Sequence, residues 1–85
     1  MILPAHITEL AAKLAASLTN KKLWITTAES CTGGGISYAL TDTAGSSASI
    51  DRCFVAYSNE AKHELLGVNT DVLEQFGAVS KETVE

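Results

Sequence analysis

The sequence predicts an α/β fold, and three features of its pattern support that prediction. Residues 7–18 have helical periodicity, and a β-rich segment follows at residues 23–28. A second β-rich segment, residues 50–57, comes after a glycine-rich turn and another helical stretch. Helices and strands that alternate in this way are typical of layered domains. We therefore expect a layered α/β/α fold with a mixed sheet, here an incomplete domain of two strands with flanking helices.

The first helix is predicted from the apolar residues near the N-terminus. They follow the i, i+3, i+4, i+7 spacing of an amphipathic helix: Ile7, Leu10, Ala11, Leu14, Ala15 and Leu18. Pro4 suits a first helical turn, and Lys21 and Lys22 suit a C-terminal end near residue 20. The next run, LWITTA at residues 23–28, is rich in β-branched and aromatic residues and is too short for a helix of its own. It is predicted to be a buried strand.

A turn, a helix and a second strand are predicted next. Glycines 33–35 form a tight turn, and the apolar spacing after them indicates a helix that ends near Asp42. Residues 43–49 are small and polar and are predicted to be a loop. The β-rich residues 50–57 then form the second strand.

The remaining helices are predicted from capping residues. Ser58 is a suitable N-cap for a helix that ends at Gly67. Residues 70–77 indicate a short helix with a glycine at its end, and Ser80 is the N-cap of a further helix that begins in SKETVE.

Composition excludes several classes of function. The 85 residues carry ten acidic and six basic side chains, a net charge of −4, so binding to nucleic-acid phosphates is not expected. No apolar run approaches the roughly 20 residues that a membrane-spanning helix needs. Two cysteines without a secretory signal suit a reducing compartment, so Cys31 and Cys53 are expected to be free thiols. We expect a soluble cytoplasmic protein.

The stretch AESCTGGGIS, residues 28–37, has the features of a hydrolytic site. Ser30 would lie at the carboxyl end of the first strand, where open α/β sheets bind ligands. Glycines 33–35 would open the next helix with unpaired N–H groups that could receive an oxyanion. The pattern is also consistent with a plain turn capped by the Ser30 hydroxyl. Cys31 is an alternative nucleophile, and the Lys of a phosphate-binding P-loop is absent.

A base for the serine is predicted in the next helix. Lys62 would lie in the first helical turn, where the helix dipole disfavours a positive charge, and an uncharged lysine can serve a serine as general base. The alternative is a solvated surface lysine. Tyr57 could hydrogen-bond in the same site or cover the core with its ring, and His63 is a second possible base.

Four blocks in order, TTAESCTGGGIS, LTDTAGSS, VAYSNEAKHELLGV and GAVSKET, carry a family resemblance. In sequence and spacing they resemble the C-terminal domain of the competence/damage-inducible CinA family, whose stand-alone members are nicotinamide-nucleotide amidohydrolases. The resemblance runs from about residue 7 to the end of the chain. It implies that residues 1–85 are the first half of a single domain, because the family domain continues with further strands and a second glycine-rich block.

The resemblance also implies a reaction and the residues that perform it. The reaction is hydrolysis of the carboxamide of nicotinamide mononucleotide to nicotinic acid mononucleotide and ammonia, in pyridine nucleotide recycling, with no metal and no cofactor. The matching catalytic residues are Ser30 as nucleophile, Lys62 as base and Tyr57 as an assisting residue. Those expected at the substrate are Glu29, Cys31, Thr32, Gly33 and Gly34, with the amides around Thr32, Gly33 and Gly34 forming the oxyanion hole. From its position, Glu29 could orient either a turn amide or the substrate.

Other functions remain open at this point. An incomplete sheet leaves an edge strand that can pair with a second copy, so a homo-oligomer is expected. The chain could instead be a non-catalytic nucleotide-binding or assembly module, inactive as this fragment. A hydrolase that uses Cys31 is the third alternative.

Overall fold

The computed structural model describes residues 3–85, and the predicted helices and strands are present in the predicted order. In chain order they are α1 (Ala5–Asn20), β1 (Ile25–Glu29), α2 (Gly35–Thr41), a 3₁₀ turn (Ser46–Ala48), β2 (Ile50–Val55), α3 (Asn59–Leu66), α4 (Thr70–Phe76) and α5 (Lys81–Val84). The alternation of helices and strands confirms the α/β prediction.

The two strands are parallel neighbours. Thr26 pairs with Arg52, and the register then continues without interruption to Glu29 and Val55. The amide of Ala56 donates to the carbonyl of Glu29 at 3.0 Å, which adds one bond beyond the ladder. A strand of opposite direction, which a mixed sheet requires, is not found among residues 3–85. Because parallel strands end at the same edge of a sheet, the segments that follow β1 and β2 begin side by side.

Burial of the first strand was wrongly predicted. Leu23 and Trp24 precede β1, and their exposed fractions are 51% and 62%. Within β1, Ala28 is exposed, whereas Glu29 at its end is buried. The physical reason is that a strand in a two-stranded sheet loses water contact only where another element covers it, and β-propensity alone does not show which positions are covered.

The buried apolar residues come from several elements and are small in number. Among residues 3–85 they are Ala11, Leu40, Ala56 and Leu73. Many larger apolar side chains are instead well exposed, among them Leu10, Ile36, Val55, Phe76 and Val79. The described residues therefore have a thin core and a large apolar surface.

The predicted capping residues are confirmed. The Ser58 hydroxyl accepts the Ala61 amide at 3.0 Å to begin α3, and Gly67 ends that helix in the left-handed conformation with φ of 69°. The Ser80 hydroxyl accepts the Thr83 amide at 3.2 Å at the start of α5. These local signals place α3 directly after β2, which ends two residues earlier than predicted.

The turn between β1 and α2 depends on two glycines with positive φ. Gly33 has φ of 60° and Gly34 has φ of 99°, and α2 begins at Gly35. Residues with a Cβ atom rarely adopt such φ values, so the sequence GGG allows the chain to turn from the strand into the helix within a few residues.

We predict that Gly34→Ala lowers the free energy of unfolding by about 1–3 kcal/mol. The cost comes from the backbone, because a Cβ at this position would meet Val55 Cγ2 at 3.6 Å, an ordinary contact. Gly35→Ala is the matched control, since Gly35 has no positive φ and its added Cβ would lie 3.8 Å from the Cβ of Thr32. Denaturant unfolding of both variants measures the difference, and equal stability losses would contradict the explanation.

Candidate functional site

The structure brings the two predicted catalytic segments to one edge of the sheet. Ser30 follows Glu29, the last residue of β1, and Glu29 pairs with Val55, the last residue of β2. Tyr57 comes two residues after Val55 and leads into α3. Ligands of open α/β sheets bind at such carboxyl ends. The described residues thus place the candidate nucleophile and the segment with the candidate base next to each other.

Ser30 is half-buried and is the first residue of the turn that follows β1. Its carbonyl oxygen accepts the Gly33 amide at 2.8 Å, which closes the turn. Within residues 3–85, no hydrogen bond joins Ser30 Oγ to Lys62 Nζ. The direct contact between nucleophile and base therefore stays a prediction.

Lys62 is buried, with an exposed fraction of 6%. Its Nζ donates to the carbonyl oxygen of Tyr57 at 2.6 Å, five residues back along the chain and before α3 begins. The alternative of a solvated surface lysine is wrong, because the residue is buried and its side chain folds back to the segment between β2 and α3. The ion pairs of the described residues do not include Lys62. A lysine that is buried without a carboxylate partner is uncommon and is more typical of a functional site than of a core.

Tyr57 contributes to the site through its main chain. Its carbonyl oxygen accepts the hydrogen bond from Lys62 Nζ, whereas Tyr57 as a whole is 71% exposed. The alternative in which the ring covers the core is therefore wrong. An assisting role of the phenol stays a prediction.

The glycine amides were wrongly predicted to be unpaired. The Gly33 amide donates to the Ser30 carbonyl, the Gly34 amide to the Glu29 carboxylate at 3.1 Å, and the Gly35 amide to the Thr32 carbonyl at 3.0 Å. The physical reason is that two carbonyls of the tight turn and the Glu29 carboxylate accept these three amides. Two amides of the turn, those of Cys31 and Thr32, take part in no hydrogen bond within residues 3–85.

The carboxylate of Glu29 lies inside this turn. Its Oε1 accepts hydrogen bonds from the Thr32 hydroxyl at 2.5 Å, the Gly34 amide at 3.1 Å and the Ile36 amide at 3.0 Å. Its Oε2 accepts the Ser37 amide at 2.9 Å and the Ser37 hydroxyl at 2.5 Å. Glu29 is 6% exposed, so these five donors take the place of water.

The hydrogen bonds also determine the charge of Glu29. Burial works to raise its pKa, but the bonds from Ser37 and Thr32 and from the amides of Ile36 and Ser37 outweigh burial and lower the pKa of Glu29 to about 2. Of the two roles expected for Glu29, the structure shows the first, because its carboxylate accepts the turn amide of Gly34. The full set of five donors was not predicted. The available signal was an acidic residue at a strand end, followed within eight positions by hydroxyl residues and a helix start.

The other candidate residues lie apart from these interactions. Cys31 is exposed and Cys53 half-buried, and both are free thiols, as predicted. His63 Nδ1 is 2.8 Å from the Val68 carbonyl, a contact that ties the end of α3 to the following loop. His63 is exposed, as is His6 on α1.

Residues 3–85 lack two features that would point to other functions. His, Cys, Asp and Glu side chains do not gather in groups of three or more that could hold a metal ion. None of the described helices has the length and apolar character needed to cross a membrane.

Curated relatives are similar to most of the chain. The chain is 60% identical over 76 residues to a nicotinamide-nucleotide amidohydrolase PncC of Enterobacter agglomerans, which covers 89% of this chain and 46% of that protein. It is 45% identical over 80 residues to the protein of the same name in Escherichia coli K12, which covers 94% of this chain and 48% of the relative. The chain thus spans about half the length of these relatives.

Solved structures share the fold. The chain superposes on the crystal structure of competence/damage inducible protein CihA from Agrobacterium tumefaciens with a TM-score of 0.95 and 52% identity, over 98% of this chain and 50% of the other. For a competence damage-inducible protein A from Klebsiella pneumoniae the TM-score is 0.89 and the identity 40%, over 92% of this chain and 48% of the other. The CinA C-terminal domain family matches residues 7–85. The chain belongs to the CinA C-terminal domain family.

Proposed function

We propose that this chain carries the nucleophile and the base of an amidohydrolase that converts nicotinamide mononucleotide to nicotinic acid mononucleotide and ammonia. The observation that supports it most is Lys62, buried without an ion pair at the sheet edge where Ser30 begins its turn. Relatives that are 45–60% identical over most of this chain are named nicotinamide-nucleotide amidohydrolase.

In the proposed reaction, Ser30 attacks the carboxamide carbon. The uncharged amine of Lys62 takes the proton from Ser30 Oγ while the C–O bond forms and negative charge develops on the amide oxygen. The amides of Cys31 and Thr32 are suited to receive that charge, because they have no partner within residues 3–85. This assignment keeps Thr32 in the oxyanion hole and replaces the amides of Gly33 and Gly34, which the turn already uses.

The second half of the reaction releases the products. The ammonium of Lys62 gives its proton to the amide nitrogen, the C–N bond breaks, and ammonia departs. The acyl group stays bound to Ser30 Oγ as an ester. Lys62 then takes a proton from a water molecule, whose oxygen attacks the ester carbon. The C–O bond to Ser30 breaks, Ser30 Oγ regains the proton, and the carboxylic acid is released.

The proposal places residues 1–85 in the first half of a single domain of the family. This agrees with the relatives' lengths, of which the chain spans about half. The remaining contacts to the nucleotide would come from other residues of such a domain or from a second copy, which agrees with a homo-oligomer.

A non-catalytic nucleotide-binding module is the second candidate. It is favoured by the absence of a hydrogen bond between Ser30 Oγ and Lys62 Nζ in the described part of the chain. Calorimetric binding of nicotinamide mononucleotide without ammonia release on long incubation would favour this candidate.

We predict that Ser30→Ala and Lys62→Met each reduce ammonia release from nicotinamide mononucleotide to background. Removal of a nucleophile or its base in a serine hydrolase lowers kcat by about 10⁶-fold. Ser47→Ala is the matched control, because Ser47 is an exposed serine of the 3₁₀ turn before β2. A coupled enzymatic assay for ammonia measures the rates, and circular dichroism confirms that the variants fold. Turnover retained in Ser30→Ala contradicts the mechanism.

We predict that Tyr57→Phe lowers kcat/KM by about tenfold, the effect of one hydrogen bond in the transition state. The variant keeps the carbonyl oxygen that holds Lys62, and the exposed ring leaves thermal stability unchanged. Because the carbonyl is kept, the same ammonia assay measures the contribution of the phenol hydroxyl alone. An unchanged kcat/KM would limit Tyr57 to its main-chain role.

A further inference from the structure

The Glu29 carboxylate is unavailable to a substrate. A carboxylate has about four lone-pair sites, and five donors from its own turn and from α2 already surround this one. All five come from four residues: Thr32, Gly34, Ile36 and Ser37. Because Glu29 is buried as well, a substrate atom would have to displace one of these donors to reach it.

Glu29 connects three parts of the site. Its main chain belongs to β1, and its carbonyl oxygen accepts the Ala56 amide of the neighbouring segment at 3.0 Å. Its side chain binds the turn through Thr32 and Gly34 and the start of α2 through Ile36 and Ser37. Ser30 is the next residue in the chain. The position of Ser30 is therefore set between a main chain fixed to the sheet and a side chain fixed to the helix.

The negative charge of Glu29 is suited to this role because every partner is a donor. Gln has the same shape, but one of its two terminal atoms is an NH₂ group. Whichever way the Gln amide turned, that group would face at least one main-chain N–H of Gly34, Ile36 or Ser37. Two donors that face each other in a buried site repel, and the turn would have to shift.

We propose that Glu29 is a positioning residue, whose carboxylate fixes the turn 30–35 so that Ser30 and the amides of Cys31 and Thr32 face the reacting carboxamide. The inference rests on the proposed function. Of the two roles expected for Glu29, it selects the one toward the turn amides and extends it to a group that acts through Ser30. It also explains why the glycine amides are not open to the substrate, since Glu29 and the turn already use them.

The kinetic test compares the wild type with Glu29→Gln, and Glu64→Gln serves as control because Glu64 is an exposed acid on α3. We expect Glu29→Gln to lower kcat for ammonia release by about 100-fold, the effect of a nucleophile displaced by about 1 Å, with KM changed less than about threefold. Rates are taken at a temperature where each variant is folded. An unchanged kcat, or a KM that rises while kcat is kept, overturns the inference.

Amide hydrogen exchange provides a readout that does not depend on turnover. In Glu29→Gln the amides of Gly34, Ile36 and Ser37 should exchange at least about tenfold faster, because each loses or weakens its bond to residue 29, whereas Glu64→Gln leaves them unchanged. Faster exchange with unchanged kcat overturns the positioning role and leaves a structural one. If a complete domain that contains this chain releases no ammonia, the proposed function fails, and the catalytic part of this inference fails with it.

Stability at acid pH tests the charge of Glu29. Its pKa in the folded protein is about 2, below the ordinary 4.5, so its contribution to stability is present above about pH 4.5 and is lost as the pH falls toward 2. The groups that face its carboxylate are hydroxyls and amides, and the ion pairs of the described residues, Arg52–Asp51 and Lys81–Glu85, do not include it.

We therefore expect the gap in denaturant midpoint between wild type and Glu29→Gln to be greatest near neutral pH and to close between about pH 4.5 and 2. A gap that stays constant over this range contradicts an ionised Glu29 and overturns the inference. The Glu64→Gln variant corrects for the general loss of stability in acid.

Discussion

The structure of the site depends on one buried negative charge. A carboxylate that leaves water must be surrounded by donors, and Glu29 obtains all of its own from the eight residues that follow it. This requirement explains several features at once: the left-handed Gly34, the immediate start of α2, and the hydroxyl residues Thr32 and Ser37 on its inner side. The turn is built around the charge.

Parallel pairing of β1 and β2 provides the second constraint. It brings Ser30 and the segment from Ala56 to Lys62 to the same edge, although they are far apart in sequence. Each segment then arranges its own group, Ser30 through the neighbouring Glu29 and Lys62 through the Tyr57 carbonyl. Main-chain and buried side-chain groups perform this positioning. The exposed Tyr57 ring does not contribute to it.

Local features of the fold were predictable from the sequence, and features that depend on packing were not. The caps Ser58 and Ser80 and the end at Gly67 follow from the chemistry of neighbouring residues, and the structure has them as predicted. Exposure of Trp24 and burial of Lys62 depend on which elements cover them, and no local pattern contains that information.

The candidate site shows the same division. Its serine and lysine could be identified from their blocks of sequence, and Ser30 was expected at the carboxyl end of the first strand. The parallel pairing that brings both to one edge came from the structure. Whether the glycine amides are hydrogen-bonded could not be predicted, because the sequence does not show that the Glu29 side chain turns inward and accepts one of them. A buried acid inside a glycine turn has the same sequence pattern as an acid that faces the substrate.

The spacing of these contacts has a consequence for folding. The hydrogen bonds of Glu29 join residues three to eight positions apart, and the bond between Lys62 and Tyr57 spans five. Such short loops close quickly, whereas the pairing of β1 with β2 must wait for the whole segment between them. Each half of the site can thus take shape in its own stretch of chain, and the late docking of the strands joins them.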